Sequence, residues 1–189
     1  MAPELLNKLL VHDALVARII EVEAYAGSED PGSHAYRGPT GRNATMFGPP
    51  GHLYVYFTYG MHYCMNVATG RDGEGSAVLL RAAEPLAGID VMSGRRGGAA
   101  VRSLCSGPAR LAQAFGVARA ANGADLVDGG ELWVARGRPV LPERTGASPR
   151  VGIRVARDRL WRFFDVDSVF VSRPTIGRVD AAAGAPSGR

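Results

Sequence analysis

Arg18-Ile-Ile-Glu-Val-Glu-Ala-Tyr25 alternates as a β-strand does. Successive side chains of an extended chain point to opposite faces. Ile20, Val22 and Ala24 therefore share one face, which reads as core, and Glu21, Glu23 and Tyr25 share the other. Two carboxylates and an aromatic ring at the end of an apolar strand admit two readings. One is an edge strand with a charged, solvated face. The other is a base beside a surface on which a flat ring can lie. Patterning alone leaves both open.

Outward from this strand, 189 residues with 46% hydrophobic content suffice for one core and one globular domain. No run of 18 apolar residues is present, which excludes a helical membrane span. Met-Ala-Pro-Glu-Leu-Leu at the N-terminus carries an acid where an export signal carries basic residues, so a cytoplasmic protein is expected. Cys64 and Cys105 form no CxxC pair, which speaks against a disulfide frame or a cysteine-rich zinc site. Net charge is +4, and Lys8 is the only lysine. Arginine forks match phosphates, so the charge permits a nucleic-acid partner.

Pro3 to Val11 has leucines at helical spacing and predicts a short helix, and Ala14 to Tyr25 predicts the first strand. Gly27 to Gly51 is rich in Gly and Pro and carries His34, Arg37, Arg42, Asn43, Met46 and Phe47, which suits a binding loop. Leu53 to Tyr59 and His62 to Val67 around Gly60 predict a β-hairpin. Its tip is unusual: Tyr59 and Met61 flank the glycine where Asn or Asp is the rule. Such a tip is either buried against the domain or an apolar wedge that unstacks bases. Ala77 to Glu84 predicts a strand ended by Pro85, with Arg81 requiring an acidic partner if buried. A helix over Leu86 to Met92, a flexible basic loop over Gly94 to Val101, and a helix capped by Ser106 and ended by Gly116 follow. Leu132 to Ala135, Val151 to Val155 and Phe163 to Ser172 read as strands, Val140 to Pro149 as a turn-rich connection, and Trp161 and Phe163 as core anchors. Residues 1–173 make one domain and residues 174–189 a disordered tail. The class is α+β: a curved, mostly antiparallel sheet with flanking helices and a protruding β-hairpin.

The chain contains no GxGxxG, P-loop, GxSxG or PCxxC motif. A metal-dependent hydrolase built on His34, His52 or His62 would lack a recognisable ligand spacing. The remaining set is metal-free and needs no cofactor: Glu21, Glu23, Tyr25, His34, Tyr54, Tyr56, Asn66 and Arg81. A carboxylate, flat rings, an amide and a cation suit chemistry on an extruded nucleobase. A non-catalytic module for damaged or single-stranded nucleic acid would need only the rings and the arginines.

These stretches, with Arg42-Asn-Ala-Thr-Met-Phe47, Gly51-His-Leu-Tyr-Val-Tyr-Phe-Thr-Tyr-Gly-Met-His-Tyr-Cys-Met-Asn66, Val78-Leu-Leu-Arg-Ala-Ala-Glu-Pro85 and Cys105-Ser-Gly-Pro108, resemble the alkyladenine (3-methyladenine) DNA glycosylase family from about Leu5 to Ser172. The resemblance implies a monomer that flips damaged purines out of double-stranded DNA and hydrolyses them away. Glu23 would activate the water and Arg81 would hold water and carboxylate. Tyr25 would stack on one face of the base, with His34 and Tyr56 on the other. Asn66 would crowd the 2-amino group of guanine. Tyr59, supported by Met61, would fill the gap in the duplex. The chain departs from the family's pattern at Asn7, where glycine is usual, and over Asp165 to Ser172. Two aspartates in that segment would weaken DNA affinity if they faced the backbone.

Overall fold

The computed structural model describes residues 2–172, so the expected tail lies outside the described residues. One α+β domain is organised on strand β2 (Leu15–Ala26). Its neighbours are β1 (Leu9–His12), β3 (Leu53–Thr58), β4 (His62–Thr69), β5 (Ser76–Ala87), β6 (Leu132–Ala135), β7 (Thr145–Ser148) and β8 (Arg162–Asp165). The order is β3-β4-β5-β2-β1-β6, and every pairing is antiparallel. β2 pairs with β5 along its length. Its first half also pairs with β1, and its second half, Glu21 to Glu23, with β8. Helices α1 (Ile89–Arg95), α2 (Val101–Leu104) and α3 (Pro108–Phe115) cover the core face. There Leu111 and Phe115 pack into one apolar cluster with Leu10, Ile19, Val22, Val55, Met65 and Leu80.

The alternation expected of β2 is broken in the middle. Ile19 and Val22 both join the core, although strict alternation would place them on opposite faces. The register explains it: Ile19 pairs with Ala83, Glu21 with Ala82 and Val22 with Leu80, so Ile20 and Arg81 are each passed over. A bulge of this type bends the strand and re-aims side chains. Here it leaves Ile20 buried outside the main cluster and sets Arg81 among the carboxylates of β2.

Several local readings are corrected. The N-terminal leucines form a single 3-10 turn, Ala2–Leu5, followed by β1, in place of a helix through Val11. Asn7 explains the break: its φ of 62° is a left-handed conformation that helices exclude and that Asn tolerates best after glycine. β5 runs past Pro85 to Ala87, because Pro85 sits at a register shift opposite Ala17, a position that tolerates a missing donor. α1 starts later than expected, at Ile89. The basic stretch after Gly94 is tied to α3, with Arg95 bonded to the Ala114 carbonyl and Arg96 to Gln113. Gly107, not Ser106, precedes the first turn of α3. Val151 to Val155 is irregular, the last strand is only Arg162–Asp165, and β7 arises inside the stretch read as turns. Phe164 is the buried aromatic of β8, while half-buried Phe163 packs against the main core cluster as expected. Trp161 is half-buried, with the guanidinium groups of Arg150 and Arg159 both over its ring.

Candidate active site

Beside the pleat of β2 lies a cavity of about 380 Å³. It is lined by Tyr25, His34, Tyr56, Asn66 and Arg81, with Tyr59 on its margin. These come from β2, the long loop, both strands of the hairpin and β5. Met61 is not in the lining: it stands exposed at the turn.

Glu23 is fully buried and sits directly behind this lining. Its Oε1 accepts from the Val151 amide at 2.7 Å and faces Arg81 Nη1 at 3.3 Å. Its Oε2 accepts from the Tyr25 hydroxyl at 3.0 Å. Tyr25, Arg81 and Val151 all line the cavity, so the carboxylate is presented to it by its own partners. Burial raises the pKa of Glu23 above the ordinary carboxylate value, and Arg81, the Val151 amide and Tyr25 only partly oppose that rise.

Glu21, on the same face, behaves oppositely. Burial would raise it too, but Arg81, Arg162 and the Ser172 amide together hold it below the usual range. Arg81 Nε and Arg162 Nε lie 2.9 and 2.6 Å from its Oε1, and the Ser172 amide donates to Oε2 at 2.6 Å. The two carboxylates thus take different jobs. Glu21 is held as an anion paired with Arg81, whereas burial favours the protonated form of Glu23 more than its partners favour the charge.

The other lining rings are built on the loop and the hairpin. His34 meets the Tyr56 ring edge-on at 4.6 Å and shares a 3.1 Å hydrogen bond with Tyr54. Burial, then the charge of Arg42, lower the pKa of His34 and favour its neutral form. Tyr54 and Tyr56 stack at 5.7 Å. The loop that carries His34 is held by Asn43, whose Nδ2 donates to the His34 carbonyl at 2.8 Å and whose Oδ1 accepts from the Thr40 amide. Asn66 is buried in the hairpin, with Nδ2 donating to the Tyr54 carbonyl at 3.2 Å. The amide is thus held by one hydrogen bond where it meets the cavity.

The hairpin tip is not buried. Tyr59 is 83% and Met61 69% exposed. Tyr59 and Gly60 have φ of 50° and 66°, and the Met61 amide closes the turn on the Thr58 carbonyl. This is the mirror-image turn that favours Asn-Gly. A tyrosine in a left-handed conformation costs ~1–2 kcal/mol, and the tip offers it no packing in return.

The segment over Asp165 to Ser172 does not line this cavity; it touches the site through Ser172 alone, which bonds Glu21. Asp165 and Asp167 are both paired with Arg144. Sequence reasoning missed the holding roles of Glu21, Asp30, Arg150, Arg162 and the Val151 amide. Their partners are too distant in the chain for any local pattern to show them. Of the histidines, His34 serves the aromatic wall, and His52 pairs with Asp125 through an isolated backbone β-bridge. Among the described residues no three His, Cys, Asp or Glu side chains are grouped to hold a metal, and no helix is long and apolar enough to cross a membrane.

Comparison with known proteins sets the class: the chain is a DNA glycosylase, a hydrolase of the repair of alkylated bases. More particularly, the model of the methylpurine-DNA glycosylase (MPG) family matches residues 1–169, and the chain belongs to that family. Its relatives include proteins named "Putative 3-methyladenine DNA glycosylase" in three bacteria. That of Burkholderia lata is 50% identical over 181 residues, covering 94% of this chain and 87% of the relative. That of Carboxydothermus hydrogenoformans is 48% identical, covering 92% of each. That of Frankia casuarinae is 45% identical, covering 92% and 87%.

Proposed function

We propose that this protein is a monofunctional 3-methyladenine DNA glycosylase, acting as a cytoplasmic monomer on double-stranded DNA and leaving an abasic site. The observation that carries the reading is Glu23, a buried carboxylate held by three groups that line an aromatic cavity. A flipped purine lies between Tyr25 and the His34–Tyr56 wall. A water at the end of the cavity gives its proton to Glu23 as its oxygen bonds to C1′. The C1′–N9 bond breaks, and its electron pair leaves with the base. In a purine made cationic by alkylation that pair neutralises the ring, so no acid is required. Arg81 holds Glu23 and water in line and offsets the charge of the carboxylate. The alkylated purines 3-methyladenine and 7-methylguanine are the first substrates of this scheme. Hypoxanthine and ethenoadenine fit the same slot, but as neutral bases they leave less readily. Lys8, the only lysine, does not line the cavity, which favours simple hydrolysis over a Schiff-base step.

The test is the pH dependence of single-turnover release of a cationic base. The rate should fall on the acid side with a midpoint above the ordinary carboxylate range, because burial raises Glu23 and the protonated form is inactive. A rate independent of pH through that range would remove Glu23 from the role of base.

Asn66 acts as the selector in this scheme. Its amide is buried and bonded to the Tyr54 carbonyl, which holds it against a 2-amino group. Asn66→Ser should therefore admit normal guanine, since removing a built-in clash relaxes discrimination. Guanine release from G·T mispairs should become measurable while lesion release is retained. A variant as guanine-blind as the wild type would place discrimination elsewhere.

A further inference from the structure

Arg150 is the least expected group near the cavity. Its side chain is fully buried, and it forms a two-pronged ion pair with fully buried Asp30: Nη1 lies 2.5 Å from Oδ2 and Nη2 lies 2.7 Å from Oδ1. Nη1 also donates to the Ala24 carbonyl at 2.9 Å. The guanidinium lies 4.6 Å from the centre of the Tyr25 ring and 5.1 Å from that of Trp161. Asp30 in turn accepts from the amides of Gly32 and Ala26. One cation thus joins the end of β2, the start of the long loop and the segment around Val151. Each of these supplies cavity lining: Tyr25, Gly32 and His34, and Val151. A buried ion pair adds little stability over an apolar replacement of the same shape, so positioning is the better account of this one.

We propose that Arg150, clamped by Asp30, is a positioning residue for the hydrolysis: it fixes the Tyr25 hydroxyl and the Val151 amide on the two oxygens of Glu23. Arg150 does not line the cavity. It acts on Tyr25 by stacking on its ring, and on Val151 as its immediate chain neighbour. The inference rests on Glu23 being the base. The charged and titratable groups around Glu23 are Arg81 from β5, Tyr25 and Glu21 from β2, Arg150 beside Val151, and Arg162 from β8 acting through Glu21. With Arg81, Glu21 and Arg162 untouched, loss of Arg150 loosens two of the three donors to Glu23 and removes a nearby positive charge. Both changes favour the protonated carboxylate.

The experiment measures single-turnover release of 7-methylguanine from a duplex across the acid limb, with wild type, Arg150→Met, Arg150→Lys and Asp30→Asn. In Arg150→Met the midpoint should rise by about one pH unit, lowering the rate roughly tenfold on the acid limb while alkaline pH restores most of it. Arg150→Lys keeps the cation and should fall between this variant and wild type. Asp30→Asn unclamps Arg150 yet keeps its charge and removes an anion, so it should raise the midpoint less than Arg150→Met does, and the rise that remains reads lost positioning alone. If Arg150→Met does not fold, these two milder variants carry the test. Variants that lose rate equally at every pH, or lose none, overturn the inference and leave Arg150 a packing residue. A wild-type protein that releases no base overturns the glycosylase reading as well, whereas wild-type release with an unmoved limb overturns this inference alone.

Discussion

Glu23→Gln should bind lesion-containing duplex as well as wild type does and release the base at a rate lower by ~10²–10⁴-fold, the usual cost of removing a general base. Gln keeps the shape that Tyr25, Val151 and Arg81 surround, so binding and folding survive. The same substitution should raise the melting temperature at neutral pH. Burial holds the Glu23 pKa in the folded protein above its unfolded value. A carboxylate shifted upward favours folding fully only below its unfolded pKa and loses that contribution as pH rises through the folded one. At neutral pH the wild type therefore bears the penalty of a buried charge, and the neutral amide does not. The stability gap should narrow as pH falls and Glu23 takes up its proton. Release within a few-fold of wild type would contradict the role. A melting temperature lowered by Gln would mean that the carboxylate is a structural anchor, as Glu21 is.

Tyr59→Gly should separate function from stability in the opposite sense at the hairpin tip. The tyrosine occupies a left-handed conformation, is 83% exposed, and gains nothing from the fold there. Glycine accepts that conformation without a Cβ clash, so thermal stability should hold or rise slightly. Flipping a base costs a few kcal/mol, and an aromatic side chain stacked in its place returns ~1–3 kcal/mol. Losing the ring should therefore lower the flipping equilibrium about 5- to 150-fold. The loss should be larger in paired duplex than in single-stranded substrate, where little unstacking is needed. Fluorescence of an environment-sensitive lesion base reads the equilibrium directly. Equal losses in both substrates would show that the ring touches DNA without acting as a wedge.

The parts of the site legible in the sequence are those written locally. Glu23 and Tyr25 share a strand face two residues apart, and the structure keeps them bonded. Leu53 to Val67 reads as a hairpin whose apolar tip is either buried or a wedge, and the structure exposes the tip. Arg81 inside an apolar strand called for an acid, and it has two. What was not legible depends on distance or on backbone irregularity. The ion pairs Arg150–Asp30 and Arg162–Glu21 join residues 120 and 141 positions apart. The bulge at Ile20 and Arg81 leaves no periodic mark; it shifts one. The helix expected over Pro3 to Val11 failed because four leucines fit a 3.6-residue period, while a left-handed Asn7 splits the run. β7 is too short and too rich in small residues to be told from a turn.

This chain, without further subunits, should hydrolyse alkylated purines from DNA. The direct measurement is base release under single turnover from duplexes carrying 3-methyladenine or 7-methylguanine, with the freed base separated by chromatography and the strand examined before and after alkali. Free methylated purine in amounts matching the protein is expected, with an intact strand that breaks only on alkali treatment and no covalent adduct trapped by borohydride. Tight lesion binding with no released base would make the protein a damage-binding module, and a trapped adduct or an alkali-independent break would contradict simple hydrolysis.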